Sequence, residues 1–489
     1  MTLINFISTP GRRFAVFAAT LTALRVVTLI FGAPELGPDE GQYWFWSLTP
    51  DFGYFSKPPL IAWSIFITTS IFGDAEWAVR LSAPLFHAGA ASFLFFTARL
   101  ISDARAGFWA GVAWLTIPGV FLSSALITTD APLLFFWSMA LYYFLKLALG
   151  RASASHVAGA ALGAAIGLGL LAKYAMIYFI PGAVLALFLA PALRRNLAAL
   201  ATAGAVATLL IAPNIWWNAQ HDFQTLSHTA ANANWGGDLL HPGALAGFLG
   251  DQFGVVGPIM LVLMIFALAT PMISASHRNS ASVALIAFAL PPLLIVSTQA
   301  FISRAHGNWA AVAYPSAVVL TAIWASSATM KFKAMTALKA SIALHLIVGA
   351  GFMASYVSPA FADAVGAASA YKRLRGWRIH ATDVLRDAGN VDAIMTDDRE
   401  IMGELVYYAR GGPRIVAFDS NHRIDHHFEA FNAFDPERDR RVLYITADPT
   451  AAAVRDRFAD VNMLRASVAE VQPGKTRTLY IFRVEGLRS

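Results

Sequence analysis

Eleven apolar runs of about membrane-spanning length leave this chain few folds to choose from. They fall near 14–33, 79–101, 106–124, 129–149, 155–172, 174–191, 196–213, 248–271, 281–299, 309–327 and 334–356. A helix of roughly 20 apolar residues crosses the hydrocarbon core, where every backbone N–H and C=O must be satisfied within the segment. Composition agrees: 57% of the 489 residues are hydrophobic and 13% are charged, against roughly 25% charged in a soluble domain. The sequence therefore predicts a polytopic α-helical membrane protein. One further apolar piece, Leu60 to Phe72, is short and follows Pro58-Pro59, so it is expected to lie along the interface. Arg12 and Arg13 precede a first run, Phe14 to Phe31, that is too long for a signal-peptide core, so it is expected to be a retained helix.

The basic residues orient these runs. With the N-terminus inside, one set of loops collects Arg12, Arg13, Arg99, Arg105, Lys146, Arg151, Arg194, Arg195, Arg278, Lys331, Lys333 and Lys339. The opposite loops hold most of the acids, among them Asp39, Glu40, Asp51, Asp74, Glu76, Asp130, Asp222, Asp238 and Asp251. The positive-inside rule then predicts a cytoplasmic N-terminus and, after an odd number of spans, a C-terminus in the bacterial periplasm. The formal net charge of +6 reflects this loop bias, and nucleic acid is not an expected partner. The chain has no cysteine, which removes disulfides and thiolate chemistry.

Beyond about residue 357 the composition changes. From about 372 to 489 the chain is charged, with strand-like pieces at 391–396, 414–418, 442–445 and 479–484. Helical stretches alternate with them at 381–388, 400–409 and 451–458. This predicts a membrane domain over 1–357, including a first periplasmic loop at 34–78, and a small periplasmic α/β domain over 372–489.

The polar residues gather on the side assigned to the periplasm. The first loop carries Asp39, Glu40, Tyr43, Tyr54 and Lys57; the second opens with Thr129-Asp130-Ala131-Pro132; later ones carry Lys173-Tyr174, Asn214 to Phe223, and Arg304 to Trp309. Asp130 is equally suited to capping its helix and to serving a site. The tyrosines and tryptophans also suit an interfacial aromatic belt. A carboxylate here can act as general base toward an acceptor hydroxyl, and lysine or arginine beside it can hold a phosphate. That pairing suits displacement of a phosphate leaving group from a sugar anomeric carbon. A lipid carrier is the expected donor on this face, since nucleotide sugars are made on the other side; accordingly the chain has no Gly-rich nucleotide-phosphate loop. His221, Asp222 and His228 show no metal-ligand spacing, and His422, His426 and His427 lie in the charged C-terminal segment beside acids; neither a metal nor any other cofactor is expected.

In order along the chain, Asp39-Glu40, Tyr54-Phe55-Ser56-Lys57-Pro58-Pro59, Thr129-Asp130-Ala131-Pro132, the Gly-rich segment ending at Lys173-Tyr174, and Asn308-Trp309 resemble the GT-C glycosyltransferases of family 39. These are the protein O-mannosyltransferase and aminoarabinose transferase type. The resemblance covers the membrane part and implies a polyprenyl-phosphate sugar donor and inverting transfer to an envelope acceptor: lipid A, a glycan or a protein. It implies that Asp39 is the catalytic carboxylate and Asp130 the second acidic position. Lys57, Tyr43 and Tyr54 would lie near the donor phosphate. Lys173 and Arg304 are expected to help neutralise that phosphate, and Glu40, His306, Asn308 and Trp309 to contact substrate. Gln42 and Ser56 stand where aminoarabinose transferases have arginine and glutamate, which leaves the sugar open, with galacturonic acid among the choices.

Two other classes compete: a membrane transporter and a non-catalytic envelope assembly protein. A transporter would place its ionisable groups at mid-membrane, in two related halves. Here the acids sit at helix ends on one side, and no internal repeat is visible.

Overall fold

A computed structural model of the protein describes residues 9–231, 233, 234, 236, 240–274, 278–327 and 333–488; Asp238 and Lys331, used above for orientation, lie outside the described residues. The chain divides into two compact units, one of residues 1–27, 57–61 and 80–352, the other of 28–56, 62–79 and 353–489.

The first unit is helical. Among the described residues, eight helices of the chain are long and apolar enough to cross a membrane, or nine where a bent pair is counted as one span. Several of the eleven expected runs are interrupted, 248–271 among them. Residues 106–124 split into helices Ala104–Thr116 and Pro118–Ser123, because Pro118 pushes Ile117 into an extended conformation (ψ 132°). Residues 174–191 begin as a tight 3₁₀ turn, Tyr174–Tyr178, before helix Phe179–Leu189. The bent pair, Pro242–Val256 and Pro258–Ile273, turns by 105°. Gly257 makes that turn at φ +86°, and a Cβ there would lie 2.0 Å from His345 Nε2. Only glycine meets both demands.

Small residues let these helices approach closely. A Cβ added to Gly159 or Gly163 would come within 2.3 Å of the Ala199 or Ala203 carbonyl oxygen. Helix Ser155–Ala172 thus lies backbone to backbone on helix Leu197–Gln220, the small-xxx-small packing that dispersion favours in lipid. Elsewhere rings fill the interior: Phe179 lies 4.5 Å from Phe288, and Trp137 5.2 Å from Phe179. The short apolar helix Leu60–Phe72, of which all but the first two residues belong to the second unit, leaves Phe66, Ile67, Ile71 and Phe72 exposed.

The second unit holds a five-stranded sheet: β1 (Ala393–Thr396), β2 (Arg414–Ala417), β3 (Arg441–Thr446), β4 (Phe458–Gln472) and β5 (Lys475–Leu487), in the order β2-β1-β3-β5-β4. β1 runs parallel to β2 and β3, and β5 runs antiparallel to β3 and β4. Alternate residues feed two cores. Ile394, Leu443, Ile445, Leu479 and Ile481 pack with helices Trp377–Asp387 and Arg399–Tyr408, while Met395, Val416, Tyr444, Phe482 and Val484 face Val454 and Phe458. β4 is the strand the sequence does not announce: only Ala452–Arg455 of the expected 451–458 helix forms, and a strand follows. It is an edge strand, exposed over much of its length and poor in β-branched residues, and the Pro473-Gly474 turn (Gly474 φ +72°) pairs it to β5.

The first loop, apart from residues 57–61, belongs to this second unit. Helix Pro38–Ser47 crosses helix Arg399–Tyr408 so tightly that a Cβ on Gly41 would meet the Gly403 carbonyl oxygen at 2.0 Å, and one on Gly403 would meet the Pro38 oxygen at 2.5 Å. Around the crossing, the Leu36 N–H donates to the Tyr408 hydroxyl (2.6 Å), which donates to Glu76 (2.5 Å). The Trp44 indole donates to Asp74 (2.8 Å), and the Tyr407 hydroxyl to the Asp74 carbonyl. Glu35 accepts the Trp377 N–H (2.6 Å) at the start of helix Trp377–Asp387. Burial raises its carboxyl above the ordinary glutamate range, with the amides of Trp377 and Arg378 acting against it.

Candidate functional site

The adjacent carboxylates of the first loop have different fates. Pro38 fits the first turn of helix Pro38–Ser47, where its missing N–H costs nothing. Glu40 is buried and folds back to accept the Gly37 N–H (2.9 Å), so its carboxylate serves the start of its own helix. Asp39, one residue earlier, points outward with 62% of its side chain exposed. Its Oδ1 accepts from Arg399 Nη1 at 2.9 Å, and the same nitrogen donates to Gln42 Oε1 at 3.1 Å. Arg399 opens helix Arg399–Tyr408, whose start is fixed by Asp398 accepting the Glu400 and Ile401 amides (2.7 and 3.0 Å).

The first-loop tyrosines pack into an aromatic cluster. Tyr54 stacks flat on Trp46 (4.6 Å, 3°); its hydroxyl accepts the Asp51 N–H (3.1 Å) and donates to the Trp46 and Thr49 carbonyls (3.0 and 3.2 Å). Burial among these rings pushes its ionisation well above the ordinary tyrosine range. Tyr43 is buried and tilts against Trp46 (5.3 Å). His427 completes the aromatic box, edge-on to Trp46 (5.2 Å) and close to Phe431 (4.7 Å); burial holds its imidazole down to about 3.

In the helical unit the structure joins three of the expected residues. Asp130 takes the first position of helix Asp130–Ala148 rather than capping it, and both its oxygens are engaged. Oδ1 accepts from Lys173 Nζ (2.6 Å) and Oδ2 from Asn308 Nδ2 (2.7 Å). Lys173 arrives extended (φ −160°) at the end of the Gly-rich helix Ser155–Ala172, and Asn308 comes from the 3₁₀ segment Gly307–Ala313. Beside Lys173, the Tyr174 hydroxyl donates to Asn214 Oδ1 (2.8 Å) and accepts from Asn218 (3.2 Å), so the Asn-rich stretch after Pro213 supports the same turn.

His306 and Trp309 meet edge-on (5.4 Å), with the Trp309 N–H donating to the His306 carbonyl (3.0 Å). Arg304 is exposed; its carbonyl accepts from Gln299 (3.2 Å). Lys57 is half-buried just before helix Leu60–Phe72. Sequence reasoning missed Arg399: it lies 360 residues from Asp39, in a charged segment that reads as an ordinary solvated helix start.

Comparison with known proteins follows the same lines. Residues 56–217 match a family described as dolichyl-phosphate-mannose-protein mannosyltransferase. The lipid A galacturonosyltransferase RgtD of Rhizobium johnstonii is 34% identical over 435 residues, covering 87% of this chain and 89% of that protein. Among solved structures, apo ArnT from Cupriavidus metallidurans superposes with a TM-score of 0.67 at 17% identity, over 96% of this chain and 97% of that one. ArnT bound to undecaprenyl phosphate gives 0.67 at 16% identity over the same shares. At such identities the likeness shows a common fold, a helical membrane part followed by a small sheet domain.

Proposed function

The chain belongs to the GT-C glycosyltransferases, in the family that includes RgtD, and we propose that it moves a sugar, galacturonic acid by its likeness to RgtD, from a polyprenyl phosphate to lipid A. It is a multi-pass inner-membrane glycosyltransferase. Within this reading the reaction runs on the periplasmic face. The bias of basic residues toward one set of loops supports that orientation, with the N-terminus cytoplasmic and the sheet-bearing part periplasmic. A polyprenyl-phosphate donor is supported by the fold shared with ArnT, a protein solved with undecaprenyl phosphate.

The acceptor oxygen attacks the anomeric carbon from the side opposite the carrier. As the new C–O bond forms, the bond to the phosphate oxygen breaks, inverting the centre and releasing polyprenyl phosphate. Asp39 takes the acceptor proton, or orients an acceptor that is already ionised. Lys57, with Arg304, neutralises the charge growing on the departing phosphate. Lys173 has its charge matched by Asp130, so this pair, with Asn308, shapes the acceptor side, where His306 and Trp309 also belong. Tyr43 and Tyr54 act by bracing the first loop, and Glu40 by starting the helix that carries Asp39.

One observation carries the choice of base. Of two adjacent carboxylates, Glu40 is turned back onto its own backbone and Asp39 alone is presented outward. The test is reconstitution in liposomes with undecaprenyl-phosphate-linked galacturonic acid and lipid A. Asp39→Asn is expected to lower turnover by roughly 10²–10⁴, the usual worth of a general base. Undiminished transfer by Asp39→Asn removes the base, and turnover with a nucleotide sugar alone overturns the donor.

A further inference from the structure

We propose that Arg399, supplied by the C-terminal sheet region, is a positioning residue for the transfer reaction, holding the Asp39 carboxylate in its working orientation. The inference rests on the reading of Asp39 as base and extends it to a residue far away in sequence. Three observations converge on it. A single guanidinium nitrogen, Nη1, donates to both Asp39 Oδ1 (2.9 Å) and Gln42 Oε1 (3.1 Å), so the aspartate is referenced to a second point on its own helix, three residues on. The backbone that carries Arg399 is fixed, since it is the first residue of a helix whose Asp398 cap takes two amides. Finally, the two helices touch backbone to backbone at Gly41 and Gly403, a crossing that tolerates little sliding and so sets the register between Asp39 and Arg399.

An ion pair this exposed contributes little to stability. Its worth lies in geometry: an aspartate on the first turn of a helix has free rotamers, and a misplacement of about 1 Å at a reacting group costs up to roughly a hundredfold in rate.

The experiment is a double-mutant cycle on full-length protein in liposomes, with undecaprenyl-phosphate-linked galacturonic acid and lipid A. Arg399→Ala is expected to lower kcat roughly ten- to a hundredfold with KM for the donor little changed, and Arg399→Lys to restore part of the loss. In the Asp39→Asn background, Arg399→Ala should do no further harm, because the group it positions is gone. An unchanged kcat overturns the proposal, as does the same fold loss in both backgrounds, which would mark a role independent of Asp39. Full activity of Asp39→Asn sinks the base reading instead, so the two failures are distinct. If Arg399→Ala loses its thermal transition, Arg399→Gln and Arg399→Lys carry the same cycle with the same expected non-additivity.

Discussion

Lys173 and Asp130 form an ion pair at 2.6 Å across 43 residues, and Asn308 holds the carboxylate's other oxygen. With side-chain exposures of 24% and 12%, neither charge is fully solvated. Removing one partner strands the other, which in partly buried surroundings costs about 1–3 kcal/mol. Lys173→Met is therefore expected to lower the melting temperature in detergent. The double variant Asp130→Leu/Lys173→Met should recover most of that loss while staying poor in transfer. Recovery of both would show that the pair serves packing alone.

Three histidines of the sheet-bearing unit are held neutral by burial, His427 at about 3, His426 and His380 at about 4. A base whose folded pKa lies below its unfolded one, roughly 6.5, leaves the unfolded chain binding more protons between the two values. Their contribution is thus complete above about pH 6.5 and is lost as pH falls toward 4, by at most about 1.4 kcal/mol per pH unit for each histidine. Glu35 and Glu429, raised by burial, work in the opposite sense, so a single variant isolates the effect. His427→Phe, placed among Phe45, Trp46, Phe428 and Phe431, is expected to flatten the fall in melting temperature between about pH 7 and 4.5. An identical fall in parent and variant would remove His427 from the account.

Tyr408 ties two parts of the sheet-bearing unit through one hydroxyl, which accepts from Leu36 and donates to Glu76. Tyr408→Phe leaves both partners short of a bond in a buried setting, a loss of about 1–3 kcal/mol. Limited proteolysis should cut the 31–37 segment faster in the variant, and an unchanged digestion pattern would refute the expectation.

The helical layer was legible in the sequence because its signal is long and one-dimensional: about twenty apolar residues in a row are read without knowing any neighbour. Lost were the breaks at Ile117, Tyr174 and Gly257, where a local conformation interrupts an apolar run that hydropathy sees as continuous. Asp39 and Asp130 stood out as acids beside apolar helices. Arg399 and the partners of Asp130 could not be paired that way, since nothing in residue spacing records a contact between positions 43 to 360 residues apart. β4 was hidden for a related reason: an edge strand with alanine, asparagine and aspartate takes its stability from β5, not from its own composition.

The glycine crossing offers the sharpest structural prediction. Gly41 and Gly403 stand where an added Cβ would lie 2.0 and 2.5 Å from backbone oxygen atoms, which cannot swing aside as a side chain can. Gly41→Ala must therefore push helices Pro38–Ser47 and Arg399–Tyr408 apart, at about 1–3 kcal/mol of overpacking. The separation lengthens the reach from Arg399 to Asp39, so transfer should fall more steeply than the melting temperature implies. Gly73→Ala, at a first-loop glycine with open space around it, is the control: it carries the φ +75° penalty but leaves the crossing intact. It is expected to melt lower while keeping its turnover below the transition. If Gly41→Ala and Gly73→Ala lose activity only in proportion to stability, the crossing sets no register for Asp39 and is simply close packing.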